Sequence, residues 1–115
     1  MLQMLFVALL LAAVAGAAQA QDDRESRLRT VRGTVIDKDE APIAGGVVYL
    51  KNAKTGTIRT TIAGDDGTYR LSGLDPNVDY EIHAEHKDQT SNTRNISSYE
   101  SRREIVIHLK VNKKR

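Results

Sequence analysis

The sequence contains no cysteine and no tryptophan, and its single phenylalanine, Phe6, lies in the first twenty residues. Without cysteine there are no disulfides, no thiol nucleophile, no cysteine-ligated zinc and no lipid-modified cysteine anchor. Beyond residue 20 the four tyrosines, Tyr49, Tyr69, Tyr80 and Tyr99, are the only aromatics. Of these only Tyr49 and Tyr99 are candidates for exposure, which is few for an aromatic binding face. Charge of one sign is scarce as well: 17 Lys+Arg against 15 Asp+Glu leaves a formal net charge of +2, too small to imply a nucleic-acid partner. No window after residue 29 carries an apolar stripe of helical period.

What is present divides the chain. The first twenty residues hold no charged side chain, and all but Gln3, Gly16 and Gln19 are apolar. An apolar run to Val14 followed by Ala18-Gln19-Ala20 predicts a signal peptide over 1–20, cut between Ala20 and Gln21, although it lacks the usual basic residue near its start. The alternative is an uncleaved anchor, but its last seven residues are mostly Ala and Gly, and spanning a bilayer takes about 20 strongly apolar residues. Either route places the body outside the cytoplasm, secreted or periplasmic, with no stable membrane insertion after cleavage. Residues 21–29, QDDRESRLR, contain one apolar side chain and read as a flexible linker.

From Thr30 the apolar period becomes two. Val31 and Val35, then Val48 and Leu50, Ile58 and Ile62, Tyr69 and Leu71, Val78, Tyr80 and Ile82, and finally Ile105, Ile107 and Leu109 alternate with charged or hydroxylated residues. Turn-forming clusters separate the runs, Gly64-Asp65-Asp66-Gly67 most clearly. Seven short strands at this spacing predict an all-β fold, a seven-stranded antiparallel Greek-key sandwich over 30–111 with a basic tail at 112–115. The alternating residues just named, with Leu74, are the expected core.

The elements Gly33-Thr34-Val35, Asp37, Pro42-Ile43-Ala44-Gly45, Thr55-Gly56, Gly67-Thr68-Tyr69, Gly73-Leu74-Asp75-Pro76 and Tyr80-Glu81-Ile82 follow one another in an order that resembles the carboxypeptidase regulatory-like domain family. The resemblance implies a transthyretin-like sandwich and a structural or interaction module, not an enzyme. Three positions depart from the family pattern. Glu40 stands where the family has Gly, which implies a first turn without a required positive φ. Gly64 replaces an Asp, leaving Asp65 to cap that turn. Asn77 replaces a Gly after proline and tolerates the left-handed region.

No catalytic, cofactor or metal site is expected. The related hydroxyisourate hydrolases end in Tyr-Arg-Gly-Ser, whereas this chain ends Val111-Asn112-Lys113-Lys114-Arg115, so that activity is a distant alternative. His83 and His86, three apart on a strand, point to opposite faces; His83 with Glu85 or His108 offers at most a weak metal site. An internal isopeptide, as in related adhesin domains, needs a lysine on the first strand, where Arg29 and Arg32 stand instead. The cations of the last quarter, from Arg94 to Arg115, read as protection of a strand edge. One surface feature is less ordinary. Val47 and Tyr49 point opposite to Val48 and Leu50, and so form a candidate contact patch. The sequence thus points to an exported, non-catalytic binding or structural module whose partner is an unknown protein or polysaccharide of the cell envelope. A carbohydrate-binding module is the alternative. The oligomeric state is not legible.

Overall fold

The computed structural model describes residues 27–115. The expected signal peptide, its cut between Ala20 and Gln21, and linker residues 21–26 lie outside the described residues. Nine strands follow in order: β1 (Arg29–Ile36), β2 (Val47–Asn52), β3 (Ile58–Ile62), β4 (Thr68–Leu74), β5 (Tyr80–His86), β6 (Gln89–Ser91), β7 (Arg94–Ile96), β8 (Glu104–Val106) and β9 (Leu109–Lys114). They run β3-β2-β5-β6-β9-β1-β4, with β7 beside β5 and β8 beside β1. The result is an all-β mixed sheet, nearly closed into a barrel-like sandwich.

Two features differ from the seven-stranded antiparallel expectation. The polar stretch after β5 forms two further short strands, β6 and β7. The last apolar run splits into β8 and β9, and both pair parallel to β1. Alternation reports which residues face inward; it does not report strand direction. The boundaries shift too. Arg29, assigned to the linker, opens β1, and residues 112–114, assigned to the tail, belong to β9.

The core is Val31, Val35, Val48, Leu50, Tyr69, Leu71, Leu74, Val78, Tyr80, Ile82, Ile105, Ile107 and Leu109, as expected, joined by Ala63, Ala84, Ile96 and Val111. Each fully buried Leu, Ile or Val contributes about 1.5–3 kcal/mol of transfer energy. Ile58 and Ile62 are the exceptions, at 58% and 69% exposure. The turn fixes their phase. Asn52 N–H bonds Thr57 O at 2.8 Å, while the Asn52 side chain accepts the N–H groups of Lys54 and Thr55. The register that follows sets Thr61 and Arg59 opposite the inward Val48 and Leu50, and Ile62 and Ile58 opposite the outward Val47 and Lys51. A period-two pattern does not reveal which set faces the core.

β1 joins the two halves of the sheet. One edge pairs with β4; the other meets β8 along Thr30–Arg32 and β9 along Val35–Ile36. Between β8 and β9 the chain steps past Gly33, and a Cβ at residue 33 would lie 1.9 Å from the Ile107 carbonyl oxygen. That carbonyl accepts the Tyr69 hydroxyl at 2.6 Å, while Ile107 N–H bonds Arg32 O. Gly67 is similarly constrained, with φ at 77° and Val35 O 2.9 Å from where a Cβ would stand.

Two of the three family departures resolve differently from expectation. Glu40 does adopt positive φ, 68°, with the Asp37 carboxylate accepting the N–H groups of Asp39 and Ala41 across that turn. Asp66, not Asp65, caps the second turn by accepting the Thr68 N–H and hydroxyl. These bonds hold its carboxyl below the usual range, the hydroxyl bond contributing most. Asn77 is not in the left-handed region; its N–H bonds the Asp75 carboxylate.

Gly33→Ala is expected to lower stability by about 3 kcal/mol or more, the upper range for single substitutions; thermal denaturation monitored by circular dichroism measures it. Burial pushes the Tyr69 phenol well above its ordinary value near 10. The fold therefore favours the neutral phenol. Its contribution is intact below the unfolded value and is lost as pH climbs past it toward the folded value. Urea titrations should show stability declining above about pH 10, with a shallower decline in Tyr69→Phe.

Candidate functional site: the outer face of the β3-β2-β5 sheet

The same registers that bury Val48, Leu50 and Ile82 turn their neighbours outward in rows. Ile62, Val47 and Glu85 form one row, Thr60, Tyr49 and His83 the next, and Ile58, Lys51 and Glu81 the third. Tyr49 and His83 stack, with ring centroids 4.9 Å apart and planes within 8°. Glu85 reaches His83 Nε2 at 3.6 Å and the Arg115 guanidinium at 3.3 Å. Arg115 also donates its main-chain N–H to Asp88 O and its guanidinium to Lys87 O. The end of the basic tail is thereby folded onto this face.

Val47 and Tyr49, the contact residues expected from the sequence, both stand here, half-buried. His83, Glu85 and Arg115 complete the group. Sequence reading weighed His83 and Glu85 only as metal ligands and saw Arg115 only as part of a charge run. Hydrogen bonding to Glu85, then burial and the charge of Glu85, push the Tyr49 phenol above its ordinary value, while Arg115 opposes the shift. The arrangement offers a flat conjugated stack with an acid and a base at its rim, and an apolar border from Ile58 and Ile62.

A second aromatic is displayed on the loop after β7. Tyr99 is 95% exposed, yet its backbone is fixed. The buried Arg29 side chain donates to the carbonyls of Ser97, Ser98 and Glu100, and Asp79 accepts the Ser98 N–H at 2.6 Å. Nothing in the linker-like run QDDRESRLR marks Arg29 for this task, because its acceptors lie about seventy residues away.

Other candidates do not converge. His83 is committed to Tyr49, and His108 lines a cleft of about 400 Å³ between β3 and the β1/β4 pair, beside Arg32 and Arg70. Those two arginines face each other across strands, and Glu104 lies 2.7 Å from one and 3.7 Å from the other. Among the described residues no three metal-ligating side chains cluster, and none of the lysines is buried. Two of the late cations, Lys113 and Lys114, pair with β6 inside the sheet order and guard no edge, whereas Arg94 lies on the marginal strand β7.

Glu85→Gln should return the Tyr49 phenol toward its ordinary value, while the Tyr69 phenol stays raised by its burial. Ring-carbon shifts of labelled tyrosine, followed by NMR from neutral to alkaline pH, would report this residue by residue.

Comparison with known proteins places the fold. A family model described as the carboxypeptidase regulatory-like domain matches residues 30–110. No curated protein sequence matches the chain. Among solved structures, the catechol 1,2-dioxygenase of Acinetobacter sp. ADP1 superposes with a TM-score of 0.57 at 13% identity, over 76% of this chain and 53% of that one. BcpA, the major pilin subunit of Bacillus cereus, gives 0.57 at 17% identity over 75% of this chain and 30% of its own. The group B streptococcus pilus 2b backbone protein gives 0.57 at 16% identity over 75% and 41%. The chain thus spans about half or less of these structures, and the likeness is one of fold. With the matched segment running from the second residue of β1 into β9, the chain belongs to the carboxypeptidase regulatory-like domain family.

Proposed function

We propose that the protein is an exported module that acts by binding rather than by catalysis. Its contact face is the outer side of the β3-β2-β5 sheet, centred on Tyr49 and Val47. The partner is a protein or polysaccharide of the cell envelope. The observation that carries this reading is the Tyr49–His83 stack. An aromatic pair with an acid and a base at its rim and two exposed isoleucines beside it has the composition of a contact surface, an apolar middle with polar margins. The fold itself is neutral, since pilus subunits and catechol dioxygenases share it. Export rests on the apolar leader of residues 1–20.

The polysaccharide alternative uses the same stack as a sugar platform, with Glu85 and Arg115 as hydrogen-bonding groups. A second contact point is favoured by Tyr99, because Arg29 and Asp79 hold the turn that presents it although the ring itself buries nothing.

Co-sedimentation of the purified exported chain with separated polysaccharide and protein fractions of its host's envelope tests the reading. One fraction should retain the protein. Tyr49→Ser should weaken retention about tenfold or more, equivalent to about 1.4 kcal/mol, without lowering the melting temperature. Retention lost only in Tyr99→Ser would move the contact to the loop. Retention unchanged in both variants would contradict the proposal.

A further inference from the structure

The terminal strands of the sheet order, β3 and β4, are finished differently. On β4 the outward main-chain groups are engaged toward both ends of the strand, and only those of Arg70 between them stay open among the described residues. Thr68 O accepts Gly64 N–H at 2.9 Å, Thr68 N–H donates to the Asp66 carboxylate at 3.1 Å, and Ser72 O accepts the Arg59 guanidinium at 2.9 Å. β7 and β8, at the other margin, are only three residues long. Short or capped edges resist pairing with other chains.

β3 is neither short nor capped. The bonds at its two ends, Asn52 N–H to Thr57 O and Ala63 N–H to Gly46 O, both at 2.8 Å, set the phase of the β2–β3 ladder. In that phase Val48/Thr61 and Leu50/Arg59 are the pairs that exchange main-chain bonds. Ile58, Thr60 and Ile62 therefore turn their N–H and C=O groups away from β2. Among the described residues these groups have no main-chain partner. The strand has no proline and no lysine. Its one charge, Arg59, lies on the inward set and is tied to Ser72.

We infer that β3 is a self-pairing edge, through which two copies of the protein join as antiparallel β3 strands about a two-fold axis at Thr60. The segment Ile58-Arg59-Thr60-Thr61-Ile62 nearly keeps its pattern when read backwards. Centred on Thr60, the pairing sets Ile58 against the partner's Ile62, Thr60 against the partner's Thr60, and Arg59 against the partner's Thr61. Every residue with outward main-chain groups then lies in a pair that exchanges both bonds. A shift centred on Arg59 brings two guanidinium groups face to face and strands Ile62, and one centred on Thr61 strands Ile58. A second copy therefore fits this edge in one preferred register. The exposed Ile58 and Ile62 shield each other across the seam as a cross-strand apolar pair. A contact of five residues a side falls below the roughly 1,200 Å² of a standard stable interface, so the dimer is weak and concentration-dependent. The inference does not depend on what the Tyr49 face binds.

Sedimentation velocity on the exported chain, from about 10 μM to 1 mM, should show a shift from monomer to dimer. Thr60→Pro removes an outward N–H while leaving the β2 ladder intact, since proline is tolerated on a sheet edge. It should remain monomeric throughout, with the circular dichroism of the parent. Because the native chain has no cysteine, a single introduced thiol reports the register. In a bonded antiparallel pair the Cα atoms are about 5.5 Å apart, within disulfide reach. Thr60→Cys should therefore form a covalent dimer on mild oxidation, and Ile58→Cys should not. Three results would overturn the inference: a parent that stays monomeric at every concentration, a dimer undiminished in a folded Thr60→Pro, or cross-linking of Ile58→Cys as ready as that of Thr60→Cys. If Thr60→Pro fails to fold, the two cysteine variants decide. Tyr49→Ser should dimerise like the parent, which separates this result from that of the contact face.

Discussion

Residue 33 can have no side chain, and the architecture turns on that. β1 is bordered by β4 on one side and by β8 and then β9 on the other. The last two strands can follow β1 only if the chain steps inward between them. The Ile107 carbonyl makes that step into the space that a Cβ at Gly33 would fill. A carbonyl taken out of a strand ladder needs another donor, and Tyr69 supplies it from β4. One close approach and one buried hydroxyl thus tie three strands together and hold the two halves of the sheet over a common core.

From that joint the functional face follows. Closing the sheet through β1 sets β2 and β5 in the opposite layer, with Val48, Leu50, Ile82 and Ala84 turned toward β1. Their neighbours must then face outward, and Tyr49 meets His83 because the register of β2 on β5 places them opposite one another. The stack is therefore a consequence of core packing as much as of any contact between the rings. β3 inherits its phase from the same ladder, which is why two isoleucines stand in water beside the stack.

Much of the core was legible in the sequence, because burial on one face imposes a period of two and this chain keeps it almost throughout. Ile58 and Ile62 were not, since a strand at a sheet margin alternates as regularly as one inside and only the length of the preceding turn sets its phase. The parallel pairing of the last strands was equally silent, as a side chain carries no record of its neighbour's direction. Val47 and Tyr49 were legible as outward residues by their opposition to Val48 and Leu50. Arg115 and Arg29 were not, because each acts on carbonyls far away in the sequence. The family resemblance located Gly33 and Gly67 correctly but misjudged Glu40, whose turn keeps its positive φ with a carboxylate-bearing residue.

As the strand that joins the two halves of the sheet, β1 should be the last to open. Native-state amide hydrogen exchange, read residue by residue, tests this most directly. The N–H groups of Val35 and Ile107, which bond Gly67 O and Arg32 O, should exchange only through global unfolding and match the stability found with denaturant. Exchange at those two positions as fast as in the loop of residues 97–103, with β2 and β5 still protected, would show that the sheet holds together without the joint, and would contradict the account.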